Sequence, residues 1–185
     1  MIAVAAKKKI DFVDYLNDVV KALSHGLLLT TKAKDKVNSM VIGWGTPGIN
    51  WSKPVFAVYV REGRFTREQL DANPEFTVNV PMGTFNRKII AVCGGKSGRN
   101  IDKVQEAGLT LVEPDVIFVP GIKEFPLTFE CRVMYRQIQN LSGLADKELK
   151  EKLYPQNIDG TEVGANRDPH VSYFGEIVSS YIIED

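Results

Sequence analysis

The chain has 185 residues, with 23 Lys plus Arg set against 23 Asp plus Glu, so its length suits one domain with a substantial core. Balanced charge excludes nucleic-acid binding through a basic surface excess, although a local basic cluster still suits a single phosphate. Two distant cysteines, Cys93 and Cys131, without a CxxC or His-rich spacing predict neither a disulfide framework nor a metal site, and they fit a reducing cytoplasm.

The apolar run before Lys7 is too short for a signal peptide, and no stretch approaches a membrane span, so a cytoplasmic protein without membrane attachment is expected. Residues 1–185 read as a single domain in which 1–25 form an N-terminal helical extension. There, Phe12, Leu16, Val19, Val20 and Leu23 recur at helical spacing, which predicts an amphipathic helix over 11–23 that ends at His25 and Gly26. Residues 27–31 read as a strand, and the charged turn KAKDK signals a hairpin. Strands follow at 40–44 and 55–60, separated by GTPGINWSKP, a stretch too rich in Gly and Pro to read as regular structure. Residues 66–73 predict a short helix with Thr66 as its cap, stopped by Asn73 and Pro74.

Residues 76–80 alternate, with Phe76, Val78 and Val80 on one face. Helices are expected at 84–92 and 101–107, the second ended by Gly108, and strands at 110–112 and 117–118. The run LTFECRVMY, 127–135, is the longest strand candidate. Residues 144–154 read as a charged surface helix or lid, and 171–183 as a final strand with Gly175 as the place for a bend. Many short strands with few helices between them describe a mainly β protein, an antiparallel barrel, closed or partly closed, with inserted helices. No GxGxxG follows a first strand and no GxxxxGK[ST] occurs, which excludes Rossmann and P-loop nucleotide sites.

Three clusters carry the candidate chemistry. VREGRFT sets Arg61 and Arg64 three apart at a strand end with Thr66 beyond them. Arginine forks suit phosphate oxygens, and a Thr hydroxyl with free helix N–H groups adds neutral donors. The competing reading pairs these arginines with Glu62 or Glu68. SGRNIDK repeats the vocabulary through Ser97, Gly98, Arg99 and Lys103, against the plainer reading of a helix-capping loop. Trp44 and Trp51 bracket a glycine-rich turn whose backbone can approach a flat heterocycle, although tryptophan also marks core or interface. His25 reads as a helix C-terminal cap, whereas His170 either reaches a ligand phosphate or redox centre or is structural. Both cysteines read as packing residues, and no triad or carboxylate pair marks a catalytic residue. The combination suits a phosphorylated, flat aromatic ligand such as a flavin nucleotide.

The segments NSMVIGWG, NWSKPVFAVYVREGRFT, CGGKSGRNIDKVQEAGLT, FECRVMY and HVSYFGEIV, covering roughly residues 26–183, together resemble the flavin reductase-like proteins of the flavoredoxin type. The resemblance implies an FMN-binding split barrel of Greek-key antiparallel strands, forming a homodimer with FMN near the subunit interface. It implies that Asn38, Trp44, Gly45 and Thr46 line the isoalloxazine or its sugar-alcohol chain. Arg61, Arg64 and Thr66 match the phosphate end, Ser97, Gly98, Arg99 and Lys103 match the second binding segment, and His170 matches a position near the flavin. Glu62 stands where many relatives have proline, and Phe65 where tyrosine is usual. The implied activity is an FMN-dependent oxidoreductase that takes electrons from NADH, NADPH or a protein donor and passes them to a redox partner or free flavin. The alternatives are an FMN electron-transfer protein without nicotinamide activity and a non-catalytic flavin- or haem-binding module.

Overall fold

The computed structural model of the chain describes residues 2–160 and 164–184. The N-terminal region is not helical throughout: it carries a short strand, β1 (Lys7–Lys9), before a 3-10 turn at Phe12–Tyr15 and helix α1 (Leu16–Leu23). Asp11 accepts a hydrogen bond from the Val13 N–H at 3.0 Å, which starts the turn, and Val19 and Leu23 bury the inner face of α1. The hairpin of β2 (Leu27–Ala33) and β3 (Lys36–Ile42) pairs Ala33 with Lys36, as the charged turn predicts.

The glycine- and proline-rich stretch is the first correction. Residues Gly45–Asn50 form a regular strand, β4, joined to β5 (Lys53–Arg61) by the two-residue turn Trp51–Ser52. Both turn residues have positive φ, 49° and 57°, the backbone that matches the twist of a tight hairpin. Pro47 is tolerated because β4 lies at the end of the sheet, where a missing N–H removes no ladder bond.

Helix α2 (Phe65–Ala72) follows β5, with Arg64 at the N-cap; Thr66 sits inside the first turn and is not the cap. Strand β6 (Glu75–Val80) is buried along its whole length. Helix α3 (Lys88–Gly95) begins later than its apolar pattern suggests, because the Asn86 side chain accepts from the Lys88 N–H at 2.9 Å and sets the start there. Asp102 likewise caps the Gln105 N–H at 3.1 Å and confines α4 to Lys103–Ala107.

The expected strand at 117–118 does not form, and the small ladder pairs β7 (Leu111–Val112) with β8 (Gly121–Ile122). The N–H groups of Asp115, Val116 and Ile117 donate to the Glu130 carboxylate, and that of Phe118 to Glu75, so this backbone is satisfied without strand pairing.

The last elements are β9 (Leu127–Ile138), α5 (Lys147–Leu153) and β10 (His170–Ile183), and β10 rather than β9 is the longest strand. The main sheet is antiparallel, in the order β3-β2-β6-β9-β10-β5-β4, with β1 on the far half of β10. Its core gathers Leu27, Leu29, Phe56, Val58, Phe76, Val78, Phe129 and Tyr173 with Val19 and Leu23 of α1. The expected bend in β10 is a register shift between Phe174 and Gly175. A Cβ at Gly175 would stand 2.5 Å from the Phe76 ring, so the glycine lets β10 close onto β6. The second core, around Leu28, Ile89, Val92, Cys93 and Phe125, packs α3 and α4 against the outside of the β2–β3 hairpin. Both cysteines are buried, as packing residues are.

Candidate functional site

Strand β3, the end of β5, the start of α2, the loop after α3 and the start of β10 converge on a cavity of about 220 Å³. It brings together Asn38, Trp44, Arg61, Arg64, Thr66, Ser97, Gly98, Lys103 and His170 of the residues singled out in the sequence. Topology explains why. His170 is the Cα partner of Arg61 in the β10–β5 ladder, so the two distant motifs meet as neighbours.

Asn38 is the centre of the site. It is 1% exposed, and its amide nitrogen donates to Thr66 Oγ1 at 2.9 Å. Its Oδ1, although buried, has no hydrogen-bond partner among the described residues. An orphaned acceptor of this kind costs about 1–3 kcal/mol unless a ligand supplies a donor. Gly98 lies against the same atom: a Cβ there would stand 2.1 Å from Asn38 Oδ1 and 2.9 Å from the Phe65 ring. The 97–98 backbone therefore approaches Asn38 as closely as only glycine permits.

The cations divide by what they already hold. Arg61, 8% exposed, donates from Nη1 to the carbonyls of Asn166 and Asp168 at 2.9 and 2.8 Å and from Nη2 to that of Leu153 at 2.8 Å. Three of its five N–H groups thus hold Leu153, Asn166 and Asp168 together. Among the described residues Arg64 makes one hydrogen bond from its guanidinium, Nη2 to the side-chain oxygen of Asn166 at 2.9 Å, and keeps more of its fork for the cavity. Burial lowers the pKa of both arginines, with Asp168 acting in the opposite sense. Lys103, 5% exposed, donates to the Ser39 and Cys93 carbonyls at 3.1 and 2.8 Å, and its third N–H is left for the cavity. Burial brings its pKa down to about 8, against an opposing contribution from Cys93, so it is still mostly protonated at neutral pH.

Three sequence candidates lie elsewhere. Arg99 turns outward, pairs with Glu68 and donates to the Gly63 carbonyl at 3.0 Å. Gly45 and Thr46 sit on β4 outside the cavity: a Cβ at Gly45 would meet the Phe56 ring at 2.8 Å, and the Thr46 hydroxyl bonds the Tyr59 hydroxyl at 3.0 Å. Trp44 does line the cavity while 42% exposed, with its ring 4.9 Å from that of His170. Thr66 contributes by orienting Asn38.

Sequence reasoning misses Tyr59, Asp168 and Tyr154, and takes Phe65 only as a departure from the usual tyrosine, although Phe65 lines the cavity. Asp168 Oδ2 accepts from the Gly63 N–H at 2.6 Å and supplies the negative charge beside the two arginines. It stands two residues before His170, and the DPH run is the one local signal that could have found it. Tyr154 reaches His170 Nδ1 through its hydroxyl at 2.8 Å. Burial, followed by Arg61 and Arg64, brings the His170 pKa down to about 4, so in the chain alone the imidazole is neutral at physiological pH.

A family model described as the flavin reductase like domain matches residues 23–185. Among curated proteins, an uncharacterised protein of Archaeoglobus fulgidus is 32% identical over 106 residues, covering 57% of this chain and 59% of its own. The chain spans less than two thirds of the length of the curated relatives it matches. Among solved structures, the flavoredoxin from Methanosarcina acetivorans superposes with a TM-score of 0.60 at 24% identity, over 86% of this chain and 68% of that one. The FMN-binding domain of a flavin reductases-like enzyme from Shewanella baltica superposes with a TM-score of 0.63 at 14% identity, over 98% and 79% of the two chains. At these identities the superpositions show the fold, which is the split barrel.

Proposed function

The chain belongs to the flavin reductase-like family, and from that premise we propose that it binds FMN in the cavity at Asn38 and works as an oxidoreductase. Electrons enter from NADH, NADPH or a protein donor and leave to a redox partner or to free flavin. The single observation that carries the reading is the buried, unpartnered Oδ1 of Asn38, held in place by Thr66 and approached by the Gly98 backbone. A site with an orphaned acceptor, cationic donors in Arg64 and Lys103, and an aromatic wall at Trp44 fits a flat heterocycle bearing hydroxyls and a phosphate.

When bound, FMN supplies the hydride-accepting and electron-passing chemistry. The chain's own groups bind and orient. Arg64 and Lys103 favour the phosphate dianion, Asn38 accepts from an N–H or O–H of the ligand, and Trp44 shields one side from water. Arg61 fixes the backbone at Leu153 and Asp168, and with the first of these Tyr154, behind His170.

We further propose that the protein is a homodimer. A cavity of about 220 Å³ falls below the roughly 300–1,000 Å³ of ligand pockets, so one chain encloses only part of a flavin. On the β4–β5 side, Ile49, Trp51 and Tyr135 are 68%, 53% and 44% exposed, and Trp51, Tyr135 and Phe174 pack ring to ring. An apolar aromatic face beside an incomplete site supports a second copy as its cover. No helix among the described residues is long and apolar enough to cross a membrane.

Anaerobic titration with NADH and NADPH, followed by flavin absorbance, tests the oxidoreductase reading. Bleaching by one or both is expected. Bleaching by a reduced ferredoxin-type donor alone would replace it with electron transfer, and a colourless protein that does not quench FMN fluorescence would remove the flavin altogether.

A further inference from the structure

His170 is tied to a chain of groups that the flavin reading does not use. Tyr154 is 5% exposed and His170 6%. The Tyr154 hydroxyl lies 2.8 Å from His170 Nδ1 and 3.1 Å from Gln139 Oε1. The backbone ties two of the three together, since the Gln139 N–H donates to the His170 carbonyl at 2.8 Å. The Tyr154 and His170 rings meet edge to face, with centroids 5.5 Å apart, and the Arg61 guanidinium stands 4.9 Å from the centre of the Tyr154 ring. Tyr154 and Gln139 line a second cavity, of about 410 Å³, walled by Leu141, Leu149 and Leu153, so the relay forms the partition between that hollow and the candidate flavin site.

The proton positions follow from what each atom can do. A carboxamide oxygen accepts and cannot donate, so the single Tyr154 hydroxyl proton goes to Gln139 Oε1. The phenolic oxygen is then an acceptor for His170, which requires the proton of the neutral imidazole to sit on Nδ1. The other ring nitrogen, Nε2, has no partner among the described residues and is not one of the buried atoms left without one, so it opens to the cavity that His170 lines.

We propose that Gln139 and Tyr154 are positioning residues that hold His170 in its Nδ1–H tautomer, so that Nε2 presents a hydrogen-bond acceptor to the ligand. This rests on the flavin reading for the identity of the ligand, but not for the tautomer. It assigns His170 the same polarity as Asn38 Oδ1: both acceptors select ligand groups that carry a hydrogen. The imidazole's neutrality is consistent with this, because burial first, and then Arg61 and Arg64, oppose a positive charge on the ring.

The test uses the fact that His25 and His170 are the only histidines. His25 is exposed and lies outside both cavities, so His25→Asn leaves one imidazole to observe. Long-range proton–nitrogen correlation spectra of the ¹⁵N-labelled protein distinguish a protonated Nδ1 from a protonated Nε2. At pH 7 the expected result is a protonated Nδ1 and a bare Nε2. Tyr154→Phe removes the acceptor and should move the tautomer ratio by about tenfold towards Nε2–H, the change one hydrogen bond supports. Saturating FMN should then shift Nε2 more than Nδ1 in the unmutated relay. A protonated Nε2 at the outset, a ratio indifferent to Tyr154→Phe, or an FMN shift confined to Nδ1 would each overturn the proposal. A protein that binds no FMN sinks the flavin reading alone, because the tautomer is read without it.

Discussion

Each residue at the site is defined by how much of its hydrogen-bonding capacity the fold leaves open. Arg64 keeps most of its guanidinium for the cavity, whereas Arg61 gives three N–H groups to carbonyls. Arg64→Ala should therefore weaken FMN binding by at least about tenfold and riboflavin much less, since a charge-assisted bond contributes roughly 1.5–3 kcal/mol and riboflavin has no phosphate. Equal loss for both ligands, measured by fluorescence quenching, would place the arginine against the ring or the fold. Titration gives a second prediction. An ordinary histidine titrates at 6.5, whereas burial and then Arg61 and Arg64 hold His170 at about 4, with Tyr154 and Asp168 in the same cluster. Between these values the unfolded chain binds the proton and the folded chain does not. The contribution of His170 is complete above the ordinary value and is lost as pH falls to about 4. Lys103, lowered from 10.5 to about 8, acts in the same sense at higher pH, and its contribution is lost as pH falls across that range. Cys93, raised chiefly by burial from 9.0 to about 11, acts in the opposite sense there, stabilising below its ordinary value and losing that as pH rises. Burial also raises Cys131, Tyr154, Tyr173 and Tyr181, which act in the sense of Cys93, so the effect of His170 is read on the acid limb. Urea midpoints between pH 4 and 7 should fall less steeply in His170→Gln than in the natural sequence.

At the scale of elements, the loop over 113–120 shows how side chains replace pairing. Glu130 is fully buried and accepts three consecutive backbone N–H groups, while Glu75 accepts the next and pairs with Arg132. Glu130→Gln removes the charge and turns one acceptor into a donor facing those N–H groups. The expected cost is about 1.5–3 kcal/mol in urea unfolding, with FMN affinity unchanged because the loop lies outside the site. Unaltered stability would show that water can satisfy those N–H groups equally well. The same loop marks a limit on what the sequence discloses. Phe76, Val78 and Val80 alternate with polar residues, a strand pattern although β6 is buried on both faces, and α1 carries a plain apolar stripe, so both are readable from local pattern. Residues 117–118 carry the same apolar signal, but distant carboxylates captured their backbone. Residues Gly45–Asn50 have the opposite mismatch. Their composition argues against a strand, yet an edge position makes Pro47 harmless. At the site, Arg64, Ser97, Gly98 and Lys103, which line the cavity, were legible because they stand in two short motifs. Tyr154 and Asp168 were not, because the chain returns to Arg61 from 107 positions away.

At the scale of the whole molecule, the open sheet sets what one chain lacks. The order begins at β3 and ends at β4, and β3 walls the cavity while β4 carries the exposed edge beside it. Ile49 is 68% exposed on that edge, and the Trp51–Tyr135–Phe174 cluster continues the apolar surface onto β9 and β10. If a second copy covers this face, dimerisation and flavin binding are linked, because whatever completes the cavity favours the assembled form. Ile49→Lys separates the two contributions. An exposed edge residue costs the isolated subunit little, usually within about 0.5 kcal/mol, and lysine is a residue that natural edge strands use to discourage pairing. In light scattering at micromolar concentration, the natural sequence should show twice the chain mass and Ile49→Lys a population of single chains. FMN affinity should fall with the dimer, although Ile49 does not line the cavity. Recovery of affinity at higher protein concentration would tie the loss to assembly rather than to local damage. A single chain that binds FMN as tightly as the dimer would show that the cavity at Asn38 is sufficient by itself, and the volume argument for a second copy would fall with that result.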